Sequence, residues 1–174
     1  MKTQVLFSLL TITTALIAQN AMANTGSITF KGKIVESTCK ATTNTASQTV
    51  QLGTWPTSAL AAAGQTTSPQ AFQINLEQCA AGNYGVRLDA NTVAATGTNA
   101  NLIAVTGGAT NVGIQVQGSD NKVVPVNTSL TDGYQFTVGT DKTATLNLKA
   151  FYTATGAATA GDANAVANFS IEYK

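Results

Sequence analysis

The sequence contains no histidine, and only 10% of its 174 residues are charged. Without histidine, the chain lacks the usual general base, the commonest metal ligand and the side chain that titrates near neutral pH. Charged residues normally make up about a quarter of a soluble domain. Here Lys+Arg number 9 and Asp+Glu number 8, so the formal net charge is +1. This composition argues against nucleic acid or an acidic membrane as a partner, and it leaves an enzyme few of its ordinary groups.

The first 23 residues have the features of a secretory signal peptide. Lys2 gives a positive start, an apolar stretch covers residues 5–18, and residues 21–23 (Ala-Met-Ala) offer a small-residue cleavage site. A membrane anchor is the alternative, but a span needs about 20 strongly apolar residues and threonines interrupt this run. We therefore expect residues 1–23 to be removed on export.

Cysteine is also scarce, since Cys39 and Cys79 are the only two. In an oxidising compartment such a pair is expected to form a disulfide, and a free catalytic thiol is the sharper alternative. Two thiols without histidine cannot complete a tetrahedral zinc site. The sequence therefore predicts a structural bridge, and we expect neither a metal nor a cofactor.

Threonine and alanine are abundant, and the pattern of apolar residues predicts an all-β fold. Apolar and polar residues alternate at period two, as in strands with one face on a core. Turn signals at Gly82-Asn83, 107–108, 118–121 and 132–133 separate these windows. One short helix is expected over Ser58–Ala63, with Thr57 as N-cap and Gly64 as its stop. Regular short strands of this kind favour an immunoglobulin-like antiparallel sandwich, and the windows are 72–79, 86–88, 112–117, 134–138 and 144–152.

The two ends of the exported chain carry further apolar rows. Taken alone, each row reads as an ordinary strand of the sandwich, one the last strand and the other the first. The C-terminal row grows in size toward the terminus and consists of Gly161, Ala163, Ala165, Ala167, Phe169, Ile171 and Tyr173. The N-terminal row consists of Gly26, Ile28, Phe30, Gly32 and Ile34.

Together, these residues resemble the chaperone-usher pilins, specifically subunits of type 1-like fimbriae. The resemblance covers essentially all of the chain after residue 23. The matching features are the start at residues 28–35, the Cys39/Cys79 pair, the segments 49–53, 76–79 and 110–116, Gly161 as the fourteenth residue from the terminus, and the penultimate Tyr173.

The resemblance implies an incomplete sandwich with six strands of its own and a seventh supplied in trans. Residues 24–35 would form a donor-strand extension and residues 36–174 the pilin domain. In this family a periplasmic chaperone lends a strand, and the extension of a neighbouring subunit replaces it at an outer-membrane usher, which gives a head-to-tail polymer on the cell surface. The N-terminal row then supplies the donor strand, and the row from Gly161 to Tyr173 forms the chaperone-recognition and groove strand.

Alternatives remain open at this point. A major shaft subunit is favoured over a minor adaptor, although only six residues (24–29) precede Phe30 and this short extension is similar to that of linker subunits. A carbohydrate-binding tip module is the main alternative function, and Trp55 would be the only tryptophan of its platform. A secreted enzyme would have to rely on carboxylate pairs, and neither it nor a small-molecule substrate is expected. The aspartates available to it are Asp89, Asp120, Asp132, Asp141 and Asp162.

Overall fold

The computed structural model describes residues 27–32, 39–93 and 101–174. The chain divides into two units, Met1–Ile34 and Val35–Lys174. In the first unit the described residues have no regular secondary structure, and the side chains of Ile28 and Phe30 are 79% and 90% exposed. The expected signal peptide lies outside the described residues, as do Gly26 and Ile34 of the N-terminal row.

The described part of the second unit consists mainly of eight antiparallel strands in two sheets. The first sheet has the strand order β1-β2-β7-β5-β4, and the second has the order β6-β3-β8. Six of these strands have five residues or more and two have only two residues, so the expected six corresponds to the longer ones. The strands are β1 (Lys40–Ala41), β2 (Gln70–Glu77), β3 (Gly82–Asp89), β4 (Ile103–Ala104), β5 (Val112–Gly118), β6 (Tyr134–Val138), β7 (Ala144–Ala154) and β8 (Asn168–Tyr173).

All five windows of alternating residues fall on strands, but one predicted turn is wrong. Gly82-Asn83 begins β3, and the chain reverses earlier, after Gln78, whose φ is +56°. The glycine at position 82 serves a different purpose. A Cβ there would lie 2.5 Å from the ring of Tyr173, so only glycine lets that ring lie against the backbone.

The helical content is small and differs in detail from the expectation. A single 3-10 turn covers Thr57–Leu60, with Pro56 as its N-cap and no side-chain capping bond. It ends three residues before the predicted Ala63. Two further short helices, Thr43–Ala46 and Leu130–Asp132, were not predicted, because segments of three or four residues leave no helical periodicity to detect.

The core lies between the inward faces of the two sheets, where the apolar members of the alternating strands meet. Its most deeply buried residues include Ile74, Tyr84, Val86, Val124 and Val138. The expected disulfide is confirmed. It joins Cys39, just before β1, to Cys79, just after β2, and Cys79 is 1% exposed.

None of the helices in the described ranges is long and apolar enough to cross a membrane. Within those same ranges, no three Cys, Asp or Glu side chains lie close enough together to hold a metal ion.

Candidate strand-accepting edge

The C-terminal strand β8 lies at the edge of the smaller sheet. It pairs antiparallel with β3 from Asn168, opposite Asp89, to Tyr173, opposite Tyr84. Within the described ranges no strand pairs with its other side, because the order β6-β3-β8 ends there. We call this unpaired side of residues 161–173 the free edge. It carries main-chain groups able to pair with an added strand.

The inner face of the smaller sheet becomes more exposed toward the free edge. In the middle strand, Tyr84 and Val86 are 0% exposed and Leu88 is buried. Their cross-strand partners on β8 are Tyr173, Ile171 and Phe169, and all three are only partly buried. These three side chains pack against the core on one side and keep solvent exposure on the other.

An aromatic row fixes the end of β8 near the chain terminus. Tyr84 stands opposite Phe136 on one side and Tyr173 on the other. Its ring stacks on Phe136 at 5.5 Å between centroids and meets Tyr173 edge-on at 5.2 Å, both favourable geometries. The buried Tyr84 hydroxyl donates a hydrogen bond to Ala80 O at 2.9 Å, so the ring that supports Tyr173 is itself anchored.

The outer face of the same strand pair is polar and holds β8 to β3. The hydroxyl of Ser170 donates to Asp89 Oδ2 at 2.7 Å. Arg87, the cross-strand partner of Ser170, places Nε 2.9 Å from Asp89 Oδ1, and its Nη1 donates to Thr128 O at 2.7 Å. The Arg87 Nε contact is not aligned as a hydrogen bond and is therefore an ion-pair attraction. The inner face of β8 is thus apolar, and the outer face is hydrogen-bonded in place.

The expected groove strand from Gly161 to Tyr173 is not one continuous strand. Regular pairing with β3 stops at Asn168 because β3 ends at its partner Asp89. Farther upstream the chain pairs with a loop instead. Asn164 exchanges both backbone hydrogen bonds with Thr106, at 2.7 and 3.0 Å, and the Asp162 backbone bonds to Gly107 O and Ala109 N.

The two pairing segments use the same side of the chain. Lys174 N donates to Asn83 O, so the even-numbered residues of β8 direct their main-chain groups toward β3. The main-chain groups of Asp162 and Asn164, which are also even-numbered, bond to residues 106–109. The odd-numbered residues therefore turn their N–H and C=O groups to the free edge. Of their side chains, those of Ala165, Phe169, Ile171 and Tyr173 pack against the core, and we call these four the inner row. Ala167, which lies between them in sequence, is exposed.

One side chain reaches the free edge from the opposite sheet. Tyr152, on β7, donates a hydrogen bond from its hydroxyl to Ala163 O at 2.8 Å. The ring packs against both the main core and a smaller cluster around Leu60 and Ala154. Burial raises the pKa of Tyr152, so the hydroxyl keeps its proton to a higher pH than a free tyrosine does. In the sequence, Tyr152 is only the last member of the long alternating row of β7, and nothing there distinguishes it as a site residue.

The features that would favour other functions have local roles. Trp55 is half-buried, and its indole N–H donates to Leu52 O at 2.8 Å, so the ring does not stand free as a sugar platform. Two of the candidate aspartates bond to neighbours close in sequence. Asp120 pairs with Lys122 at 3.2 Å in a hairpin turn, and Asp132 accepts a bond from Ser129 beside its own 3-10 turn.

Comparison with known proteins agrees with this architecture. The family model described as "Fimbrial protein" matches residues 28–174. The chain is 40% identical to the type-1 fimbrial protein subunit of Serratia marcescens, over 98% of this chain and 99% of that protein. It is 37% identical to the major fimbrial subunit SMF-1 of Stenotrophomonas maltophilia, over 88% and 95% of the two chains. A chain from the structure of a chaperone-usher pilus matches with a TM-score of 0.65 and 25% identity, over 90% of this chain and 100% of that one.

These matches span most or nearly all of the chain, and the structural match agrees with the fold described above. The chain therefore belongs to the fimbrial protein family, as a non-enzymatic structural subunit of a pilus on the bacterial cell surface.

Proposed function

We propose that the free edge accepts a strand in trans, and that the segment around Ile28 and Phe30 is the strand this subunit donates. In the periplasm a pilus chaperone fills the edge. At the outer-membrane usher, the N-terminal segment of the next subunit replaces the chaperone strand.

The main support for this proposal is that the inward side chains of the smaller sheet are more exposed on its edge strand than on its middle strand. Leu88, Val86 and Tyr84 of β3 are buried, whereas their partners on the edge strand β8 are only partly so. A strand added along β8 would pair with the outward main-chain groups and cover the inner row. Each isoleucine or phenylalanine that such a strand buries contributes about 1.5–3 kcal/mol.

The donor segment has complementary properties. Ile28 and Phe30 are largely exposed, and residues 27–32 take no part in a strand of their own chain. Ile28 and Phe30 are two residues apart, so both point to the same face of an extended segment. Thr29 and Lys31 then face solvent, while Gly32 leaves room for close approach of the two chains.

Donation from one end of a subunit into the edge of the next is a head-to-tail contact. Such a contact generates an open filament when the rotation between subunits does not close a ring. Because each subunit carries both a donor segment and an accepting edge, a homopolymer follows. We assign the chain to the shaft of the pilus, since a relative matched along most of its length is a major fimbrial subunit.

A pair of double variants on β8 tests this proposal. Phe169→Ala with Tyr173→Ala removes inner-row side chains, and Asn168→Ala with Glu172→Ala removes outer-face side chains from the same strand. Each chain is co-expressed with a periplasmic pilus chaperone, and the amounts of chaperone complex and of assembled pili are measured. We expect the inner-row variant to lose both and the outer-face control to keep both.

Expression of the unaltered chain without the chaperone provides a second test. We expect proteolysis or aggregation in its absence and a stable one-to-one complex in its presence. Normal pilus yield from the inner-row variant would refute the assignment of β8, and a soluble, heat-resistant lone chain lacking its N-terminal segment would refute the need for an added strand.

A further inference from the structure

We infer that Tyr152 is the end-stop of the free edge and sets the register in which the incoming strand pairs. This inference rests on the proposed function, because it concerns the strand that the edge accepts. In it, Tyr152 is a positioning residue. It allows pairing with the odd-numbered residues from Ala165 to Tyr173 and excludes pairing with Ala163.

The hydrogen bond from Tyr152 occupies a main-chain acceptor that an added strand would need. A strand added to the free edge needs the carbonyl groups of the odd-numbered residues. The carbonyl of Ala163 already accepts the Tyr152 hydroxyl at 2.8 Å, so pairing there requires that bond to break. A partly buried hydroxyl that loses its partner is unfavourable.

The Tyr152 ring also fills the space beside Ala163 that a donor side chain would need. The Tyr152 ring packs against both hydrophobic clusters and reaches from β7 across the sandwich to Ala163. A donor side chain directed inward beside Ala163 would meet this ring. The edge at Ala163 cannot readily move away, because backbone hydrogen bonds on both sides of it, from Asp162 and Asn164, hold the chain to the loop at residues 106–109.

The accepting edge beyond Tyr152 and the donor row have the same length. The stretch of free edge from Ala165 to Tyr173 covers nine residues, and the N-terminal row from Gly26 to Ile34 also covers nine. An antiparallel alignment of the two sets Ile28 opposite Ile171 and Phe30 opposite Phe169. Moving the donor by two residues past Tyr152 would instead place Phe30 opposite Ala167.

The register is readable from exposed positions on the outer face. There, donor and β8 residues form non-hydrogen-bonded pairs, whose Cα atoms lie about 4.5 Å apart, a distance that suits a disulfide. The proposed register sets Lys31 opposite Asn168, and the slipped register sets Thr29 opposite Asn168. All three side chains are exposed in the structure.

The experiment uses pili assembled from the full chain. One chain carries Asn168→Cys with Lys31→Cys, and its matched control carries Asn168→Cys with Thr29→Cys. After mild oxidation, covalent ladders between subunits are measured by non-reducing gel electrophoresis. With Tyr152 present, we expect ladders from the first pair and few from the second.

Both pairs are then placed in chains carrying Tyr152→Phe, which frees the Ala163 carbonyl, or Tyr152→Leu, which also frees space. In the Tyr152→Phe chain, we expect the Thr29 pair to form about five to ten times more ladders than it forms with Tyr152 present, because one hydrogen bond no longer opposes the slipped register. In the Tyr152→Leu chain we expect a larger increase. If the ratio of ladders from the Thr29 pair to ladders from the Lys31 pair is unchanged in both variants, Tyr152 does not set the register.

Two flanking pairs complete the test, Ser27→Cys with Asn168→Cys and Lys31→Cys with Ser170→Cys. If either of these pairs, or the Thr29 pair with Tyr152 present, forms as many ladders as the Lys31–Asn168 pair, the register is overturned while strand addition is supported. Pili that form without ladders from any pair would refute strand addition itself, which is a failure of the proposed function.

Discussion

A Cβ atom on Gly161 would lie 2.4 Å from the backbone nitrogen of Ala109. No real side chain tolerates that distance, and the φ of +153° at Gly161 also disfavours other residues. The backbone of residues 108–109 thus passes directly over this glycine. The resemblance to pilins implies chaperone recognition for Gly161, and the structure adds a steric reason for glycine within the subunit itself.

Gly161→Ala is therefore expected to destabilise the subunit by about 1–3 kcal/mol, because the backbone at residues 108–109 must shift or strain. The measurement, here and in the predictions below, is urea unfolding of the subunits in pili assembled from the full chain, because in that form the accepting edge is filled. Gly156→Ala is the matched control. Its Cβ would meet only ordinary contacts, the nearest at 3.5 Å from Asn111, so we expect little change or slight stabilisation. Equal effects of the two substitutions would contradict the steric explanation.

The disulfide between Cys39 and Cys79 is expected to contribute strongly to stability. Its sequence separation is 40, and closing a loop of this length constrains the unfolded chain by about 4 kcal/mol in the chain-entropy description. Replacing both cysteines by serine should lower the free energy of unfolding by about that amount in urea. A loss below about 1 kcal/mol would indicate that the unfolded chain is already compact.

Alkaline pH is expected to destabilise the fold through two tyrosines. Burial raises the pKa of Tyr134 and of Tyr152 above 10.0, and the negative charge of Asp120 raises that of Tyr134 further. The folded state then holds these protons more tightly than the unfolded state. Their contribution is fully present below pH 10 and is lost as the pH rises through the folded pKa values.

The check is the free energy of unfolding measured from pH 8 to pH 12. The double variant Tyr134→Phe with Tyr152→Phe should show a shallower fall above pH 10 than the parent chain. An identical fall in both chains would show that other groups dominate alkaline unfolding.

Asp120 is expected to make the free energy of unfolding depend on pH in the acid range, where its contribution is lost as the pH falls. Slight desolvation opposes its ionisation, but hydrogen bonds from the backbone and side chain of Lys122 and from Tyr134 outweigh it, so the pKa of Asp120 lies below 3.8. This contribution is present above pH 3.8 and is lost as the pH falls through the lower folded value. Asp120→Asn should therefore reduce the acid sensitivity of unfolding below pH 4. Unaltered acid sensitivity would argue against this role for the hairpin carboxylate.

The alternation of side chains was enough to locate the longer strands. Ile74 and Leu76, for example, are separated by one polar residue, and only a strand places both in a core. The disulfide was also predictable, because an exported chain with two cysteines has one pairing. The 3-10 turn at Thr57–Leu60 was located to within a few residues from its flanking Pro56 and Gly64.

Other features could not be predicted because they depend on contacts distant in sequence. The break in the C-terminal row at residues 165–167 arises because β3 ends at Asp89, and the row itself continues to alternate without a sign of it. Glycine at position 82 is typical of a turn, but Gly82 begins a strand. Glycine is required there because the ring of Tyr173 lies against its backbone. The hydrogen bond from the Tyr152 hydroxyl to Ala163 O likewise crosses the sandwich, and the sequence around neither residue predicts it.

The sequence by itself determined the strand periodicity, the single disulfide pairing and the two apolar rows at the ends of the chain, because these follow from residue type and spacing alone. The tertiary structure decided which side of the last strand pairs with β3, where that pairing stops and which glycines are sterically required. Those properties depend on which backbones approach one another, and a folded chain sets such distances only when both sheets are in place.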